Sequence, residues 1–123
     1  MSEPVHSYNV QIVGGSSNIP TDMTVPINSL AVNLDSIVSY SIQAIFSGSP
    51  AGSLQLQSSD DTPLAQIPAA NSWTVITDSV QGISAAGTYV VNVELPAYSF
   101  VRLQWIPTGG SGTLNVRINA KRR

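Results

Sequence analysis

The sequence has 123 residues, of which 42% are hydrophobic and only 10% are charged, and its formal net charge is −2. This length fits one domain, and because soluble domains are ordinarily about 25% charged, the polar surface must be supplied by serine, threonine, asparagine and glutamine. The lack of cysteine excludes a disulfide scaffold, a thiolate zinc site and a cysteine nucleophile.

Acidic and basic residues are separated along the chain. All seven acids lie between Glu3 and Glu94, and all five bases lie from Arg102 onward. The first residues include an acid and a proline where a signal peptide has basic residues and an apolar run, so we do not expect export by that route. The uncharged stretch 36–59 is interrupted by serine, glycine and proline, and we expect neither a membrane span nor a membrane partner.

Apolar and polar residues alternate with a period of two throughout the chain, and helical spacing is not sustained anywhere. Residues 1–7 are predicted to form a short N-terminal arm that orders only when something holds it. Strands are predicted, in chain order, at 8–13, 30–34, 38–46, 54–57, 73–77, 89–95, 101–105 and 114–118. Turn residues separate them at 14–18, 47–52, 86–87 and 108–112. The pattern predicts an all-β domain over 8–120, an antiparallel two-layer β-sandwich or jelly roll of about eight strands.

The apolar positions of the alternating segments predict the core. These positions are Tyr40, Ile42, Leu54, Leu56, Trp73, Val91, Val93, Leu103, Trp105, Val116 and Ile118. Burial of one face of every strand is the arrangement that satisfies all of them together. The same phase places Tyr98 and Phe100 in step with Arg102, on the opposite face, and these three residues are predicted to contact a partner unless the second face of that strand is also covered.

Residues that could support catalysis or bind a metal are few. The single histidine, His6, lies in the expected arm, and no serine has the glycine spacing of a nucleophile elbow. Asp60 and Asp61 lie in a long loop predicted over 59–71, where they could contribute to a calcium site, although aspartate is also a common turn residue. We therefore expect no catalytic residues, no metal, no cofactor and no enzymatic activity.

The chain ends in a basic tag, Lys121, Arg122 and Arg123. Three charges can bind a phosphate or an acidic patch, but nucleic-acid binding usually needs a broader basic surface, so no nucleic-acid partner is expected. The alternative is a solvated polar terminus. We predict that the tag and the oppositely charged arm contact neighbouring subunits, because both flank the folded domain.

The low surface charge also bears on association. It is typical of a protein packed against neighbours, although a turn-rich β protein secreted as a monomer would have the same composition. We expect a homo-oligomer, with a trimer as the first guess, because little charge keeps copies apart and strand edges need pairing or cover.

Five segments together resemble a family of small bacteriophage structural proteins with a β-sandwich fold. They are SYSIQA at 39–44, GSLQLQSSDD at 52–61, SWTVI at 72–76, AYSFVRL at 97–103 and SGTLNVRINAK at 111–121. The resemblance implies a virion component, such as a capsid decoration protein or a tail or fibre module, that assembles in the host cytoplasm with other virion proteins and is usually a symmetric oligomer. No catalytic residues come with it. The segment from Thr62 to Ala70 is longer than the compact turn that such proteins often have.

A glycan-binding module is the alternative function. The acid-bearing turn before a Trp-Thr strand is also similar to that of discoidin-type glycan-binding sandwiches. A glycan binder would need at least two exposed aromatic rings flanking a groove with polar groups, and this requirement separates the two functions.

Overall fold

The computed structural model describes residues 6–60, 72–94 and 96–122. These residues form eight strands and a 3₁₀ turn at Gly15–Ser17. The strands are β1 (His6–Val13), β2 (Ile27–Asn28), β3 (Val32–Asn33), β4 (Ile37–Ser59), β5 (Thr74–Val75), β6 (Gln81–Ile83), β7 (Gly87–Glu94) and β8 (Phe100–Arg122). All strand pairs are antiparallel and belong to one sheet, which confirms the predicted all-β class. Over the described ranges no helix is long and apolar enough to span a membrane.

The two 23-residue strands β4 and β8 form the centre of the sheet. They pair along their whole length, from Ile37 opposite Arg122 to Ser59 opposite Phe100. The other side of β4 carries β5, β6 and β7, and the other side of β8 carries β1, β2 and β3.

The sheet divides into two halves along this central pair. The first half contains β1, β7, the start of β4 up to Phe46 and the end of β8 from Leu114. The second half contains β2, β3, β5, β6, the end of β4 from Gly52 and the start of β8 up to Pro107.

The segments predicted as turns at 47–52 and 108–112 are bends inside continuous strands. They pair with each other, so that Gly48 lies opposite Gly112 and Pro50 opposite Gly110. Gly110 has a φ of 70°, and a Cβ at that position would lie 2.1 Å from the carbonyl oxygen of Ser49. Because both strands bend together, the pairing continues beyond a register shift between Ala51 and Gly52, and four predicted strands merge into β4 and β8.

One hydrophobic cluster joins the inward side chains of both halves. Ile42 and Val116 of the first half and Leu54 and Leu103 of the second are fully buried. A sheet face can be buried only under another layer, and the described chain supplies no other layer, so the two halves cover each other. This is the packing that the predicted sandwich requires.

Most predicted core residues belong to this cluster. Val91 and Val93 are half-buried against it, Trp73 lies outside it, and the remaining predicted core residues are buried. The indole N–H of Trp105 donates a hydrogen bond of 2.9 Å to the backbone oxygen of Met23, so even the largest core side chain has its polar atom paired.

Candidate functional site

The polar surface of the sheet lies on two outer faces, one for each half. We call the outward side chains of β1, β7, the start of β4 and the end of β8 the first-half face. We call those of β2, β3, β5, the end of β4 and the start of β8 the second-half face. Both faces are rich in amide and hydroxyl groups, but they differ in how those groups are used.

On the second-half face, the polar groups bond to one another. Gln55 donates a 2.7 Å hydrogen bond to Gln104, and Gln104 donates a 3.0 Å bond to Asn28. This chain crosses three strands, β4, β8 and β2, because their residues lie in register. Each of these amides therefore has at least one of its groups bonded inside the molecule.

Arg102 is held in the same way. Its Nε donates a 2.7 Å bond to Gln57, and its guanidinium lies 4.4 Å from the centre of the Trp73 ring, a cation–π contact. Partial burial lowers the pKa of Arg102, because desolvation disfavours the charged form. Arg102, predicted to contact a partner, is thus half-buried and engaged within the chain.

The first-half face has the opposite character. Within the described residues, the side chains of Ser39, Ser41, Gln43, Asn92 and Asn119 form no hydrogen bond. While these groups are exposed, water satisfies their hydrogen bonds. If a partner covers one of them without bonding to it, the desolvation of the unpaired group costs free energy. The face therefore selects partners that bring matching donors and acceptors.

Two adjacent depressions mark this face. One, of about 470 Å³, is lined by residues that include Ser39, Asn92, Glu94 and Lys121. The second, of about 240 Å³, includes Gln43, Val90 and Arg117. They have Ser41 and Asn119 in common, so they form one continuous surface.

Among the described residues, one side-chain hydrogen bond on this face orients its arginine. Arg117 donates a 2.9 Å hydrogen bond to Asn9 of β1, across the pairing of β1 with β8. The guanidinium has five N–H donors, so this bond leaves most of them available. The face thus offers a cationic donor at one depression and Lys121 with Glu94 at the other.

Phe100 was predicted to contact a partner unless the second face of its strand is also covered, and the structure covers that face. Its side chain is 1% exposed, and the next residue, Val101, is also buried. Both faces of β8 are therefore covered where the strand begins, between Asn33 of β3 and Ser59 of β4. The alternation was correct, but it does not reveal whether the second face is covered as well.

Tyr98 is also turned inward. It packs against the hydrophobic cluster, and its hydroxyl forms a 2.5 Å hydrogen bond with that of Tyr40. Burial raises the pKa of both phenols, since the charged phenolate is poorly solvated there. The predicted partner contact through Tyr98 would use only the part of the ring that remains exposed.

Trp73 was predicted in the core, and this prediction is wrong. The residue is partly buried beside Arg102, on the outer side of the sheet. Its neighbour Val75 pairs with Gln57 and is 41% exposed, whereas Ile76 packs against the core. Trp73 and Val75 do share a face, as predicted, but it is the outer one.

The sheet extends into both expected terminal segments. His6 and Ser7 begin β1, and Lys121 and Arg122 end β8. Lys121 pairs with both Ser7 and Ser39, so its backbone lies inside the sheet while its side chain is exposed on the first-half face. The remainder of the predicted arm and tag, residues 1–5 and Arg123, lies outside the described residues.

Among the acids of the described chain, Asp22 has a local role. Asp22 accepts hydrogen bonds of 2.9 and 2.7 Å from the backbone N–H and the hydroxyl of Thr24, and these bonds lower its pKa. Asp60 is exposed, and Asp61 lies outside the described residues. In 6–60, 72–94 and 96–122, no three His, Cys, Asp or Glu side chains are grouped so that they could hold a metal.

Among the predicted site residues whose side chains the structure describes, only Lys121 lies on the first-half face. The amide and hydroxyl residues of that face were not predicted as a site. The available signal was the type of residue at outward strand positions, which are Ser, Gln and Asn where a solvated strand usually has Lys or Glu.

Comparison with known proteins adds evidence on the fold. No protein-family model and no curated protein matches the sequence. The crystal structure of YomS, a protein derived from the SPBc2 prophage, matches with a TM-score of 0.59 at 8% identity, over 98% of this chain and 97% of YomS. The fold is shared with a prophage-derived protein.

Two other structures are less similar. PirA has a TM-score of 0.49 at 16% identity, covering 98% of this chain and 95% of its own. The coat protein of Tobacco streak virus has a TM-score of 0.49 at 11% identity, covering 95% of this chain and 86% of its own. Similarity at that level does not establish a common fold, so the comparison with YomS is the informative one.

Proposed function

We propose that this chain is a non-enzymatic structural component of a phage particle, which binds neighbouring virion subunits as a capsid decoration protein or as a tail or fibre module. The observation that carries the binding role is the first-half face, where polar side chains without internal partners line two adjoining depressions. The resemblance of the sequence to phage structural proteins and the fold shared with YomS support the virion setting.

The chemistry of the face suits a permanent protein contact. Serine, asparagine and glutamine bond to backbone and side-chain groups without the desolvation penalty of buried charges. Lys121 and Glu94 lie in the larger depression and can set the orientation of a partner with complementary charges. A subunit that docks here would assemble in the host cytoplasm and remain in the virion.

The proposal is tested with particles assembled from variant protein. Asn92→Arg with Asn119→Arg fills the face with large cations at two exposed positions and should reduce the copies of this chain in purified particles, measured by mass spectrometry. Thr77→Arg, at an exposed position on another surface, is the control. Equal incorporation of both variants, or absence of the natural chain from particles, would refute the proposal.

A glycan-binding module is the second candidate, because hydroxyl and amide groups with one arginine are also groups that bond sugars. Its aromatic requirement finds little support in the described side chains. Trp73 and Tyr98 are the most exposed rings whose environment is described, both are half-buried, and neither lines the two depressions. Strong selective binding on a glycan array, together with no incorporation into particles, would favour this function over the structural one.

A further inference from the structure

The edges of the sheet differ in their protection against pairing with another strand. Strands β2, β3, β5 and β6 are two or three residues long, and β1 has a register shift between Gln11 and Val13. Short edge strands and bulges are common means by which proteins prevent edge-to-edge pairing. β7 has neither feature, since it is eight residues long and pairs with β4 without a register shift.

β7 is also free on its far side. Across 6–60, 72–94 and 96–122, β4 is the only strand that pairs with it. In an antiparallel strand, alternate residues direct both N–H and C=O to the same side, so half of the residues of an edge strand present unpaired backbone groups. A further antiparallel strand would satisfy these groups.

The side chains of β7 favour such pairing. Val90 is 53% exposed on the outer side, and Val91 and Val93 are only half-buried on the inner side. The strand contains no lysine and no proline, and its one charge, Glu94, is its last residue. The features that normally repel a second strand are therefore missing along most of its length.

We propose that β7 pairs with β7 of a second copy of this chain, antiparallel, across a two-fold axis at Val90. In this register the outward side chains of one copy lie opposite outward side chains of the other, and inward ones opposite inward ones, as a continuous sheet requires. Val90 then lies opposite its own copy, Thr88 opposite Asn92, and Tyr89 opposite Val91. This inference goes beyond the proposed function, because it concerns the isolated chain.

Self-complementarity is the reason for choosing a second copy as the occupant. Ile45, 52% exposed, pairs with Thr88 and so lies diagonally next to Val90 on the outer face. The axis therefore joins two Ile45 and two Val90 side chains into one apolar patch. Glu94 falls opposite Ala86, which keeps the two acids apart. Because the contact has two-fold symmetry, it gives a dimer of the isolated chain. If the chain also forms trimers, this contact would link two trimers into a hexamer.

A cysteine scan tests the register directly. Residues opposite each other in an antiparallel pair have Cα atoms about 4.5 to 5.5 Å apart, within the range of about 4.4 to 6.8 Å that a disulfide spans. The chain has no cysteine of its own. Val90→Cys should form a covalent dimer under mild oxidation, seen on a non-reducing gel, whereas Val80→Cys, at a 56% exposed position outside β7, should remain monomeric.

Charge substitution tests the energetics. Val90→Lys places two cations opposite each other and should raise the dimer dissociation constant, measured by analytical ultracentrifugation, by about tenfold or more. Val80→Lys, which adds the same charge at similar exposure, should leave it unchanged. Far-ultraviolet circular dichroism checks that both variants fold. If Val90→Lys does not fold, the comparison of Val90→Cys with Val80→Cys still tests the proposal.

Three results would overturn the proposal: a chain that is monomeric at every concentration, a dimer that Val90→Lys weakens no more than Val80→Lys does, or Val90→Cys that crosslinks no faster than Val80→Cys. Asn92 and Val90 lie both on β7 and on the first-half face, so the two proposals are separated by Asn119→Arg alone, which lies on β8 outside the β7 contact and tests only incorporation into particles. A dimeric chain that is absent from particles would refute the virion role and leave the β7 contact intact.

Discussion

Replacing Gly110 with alanine tests the bend of the central strand pair, and the adjacent Gly109 supplies a matched control. Gly110 has a left-handed φ of 70°, a conformation that costs an L-residue about 1 to 2 kcal/mol. The added Cβ would also lie 2.1 Å from the carbonyl oxygen of Ser49 and 3.2 Å from the backbone nitrogen of Ala51. Both are backbone atoms, so no change of rotamer relieves the overlap, and overpacking of this kind costs about 1 to 3 kcal/mol.

The free energy of unfolding should therefore fall by about 2 to 5 kcal/mol in Gly110→Ala. At Gly109 no heavy atom lies within 4 Å of an added Cβ and φ is not left-handed, so Gly109→Ala should change stability by less than about 1 kcal/mol. Urea unfolding followed by tryptophan fluorescence measures both, because Trp105 is buried in the core. If the two variants unfold at the same urea concentration with the same slope, the backbone contact at the bend does not have the geometry described.

Three further substitutions follow from the contacts of single side chains. Trp105→Phe leaves the Met23 oxygen without its donor and opens a small cavity, so the free energy of unfolding should fall by about 2 to 3 kcal/mol. Thermal and urea unfolding measure this change, and a decrease below about 0.5 kcal/mol would contradict the buried bond. Gln104→Leu breaks the amide chain between Gln55 and Asn28 and should lower the free energy of unfolding by about 1 to 2 kcal/mol. Gln43→Leu, on the first-half face, should change it by less than about 0.5 kcal/mol. Equal effects in urea unfolding would mean that the two faces do not differ. Burial raises the pKa of Tyr89 to about 12 from the ordinary 10.0, so the unfolded chain releases this proton first and stability should fall as the pH rises from 10 towards 12. Tyr89→Phe should flatten that decline in pH-dependent unfolding, and parallel curves for the two proteins would rule out a contribution from this phenol.

The strand pattern was predictable because each strand has one buried face. Ile42, Leu56, Leu103 and Val116 alternate with polar residues, and their burial follows from that alternation alone. The central position of β8 was not predictable in the same way. Pairing between β4 and β8 depends on contacts between distant parts of the chain, which local periodicity does not encode.

The bends were misjudged for a physical reason. Glycine, serine and proline at 47–52 and 108–112 are the residues that end strands, and a single strand would turn at such a segment. Here the two segments lie opposite each other, with Pro50 facing Gly110, so both strands bend and their ladder is preserved. Only knowledge of the pairing distinguishes a bend of this kind from a turn.

The site was predicted least well. Phase assigned Trp73 to the core and Phe100 to the surface, but Trp73, which precedes β5, lies on the outer side against Arg102, and Phe100 is buried. The first-half face went unnoticed because its residues, such as Ser41 and Asn119, are unremarkable one at a time. Their lack of internal partners becomes visible only when neighbouring strands are placed side by side.

The central position of β8 also constrains how the chain is made. During synthesis β4 emerges from the ribosome long before β8, although the two strands pair along their whole length, with Ile37 opposite Arg122. Until the start of β8 is released, β2 and β3 have no strand to pair with, and β1 and the start of β4 wait for the end of β8. Folding must then wait for synthesis to reach Arg122, and pairing across such sequence distances is slow. A nascent chain with long unpaired edges is prone to aggregation, so high-level expression should depend on chaperones that hold it until β8 has been released.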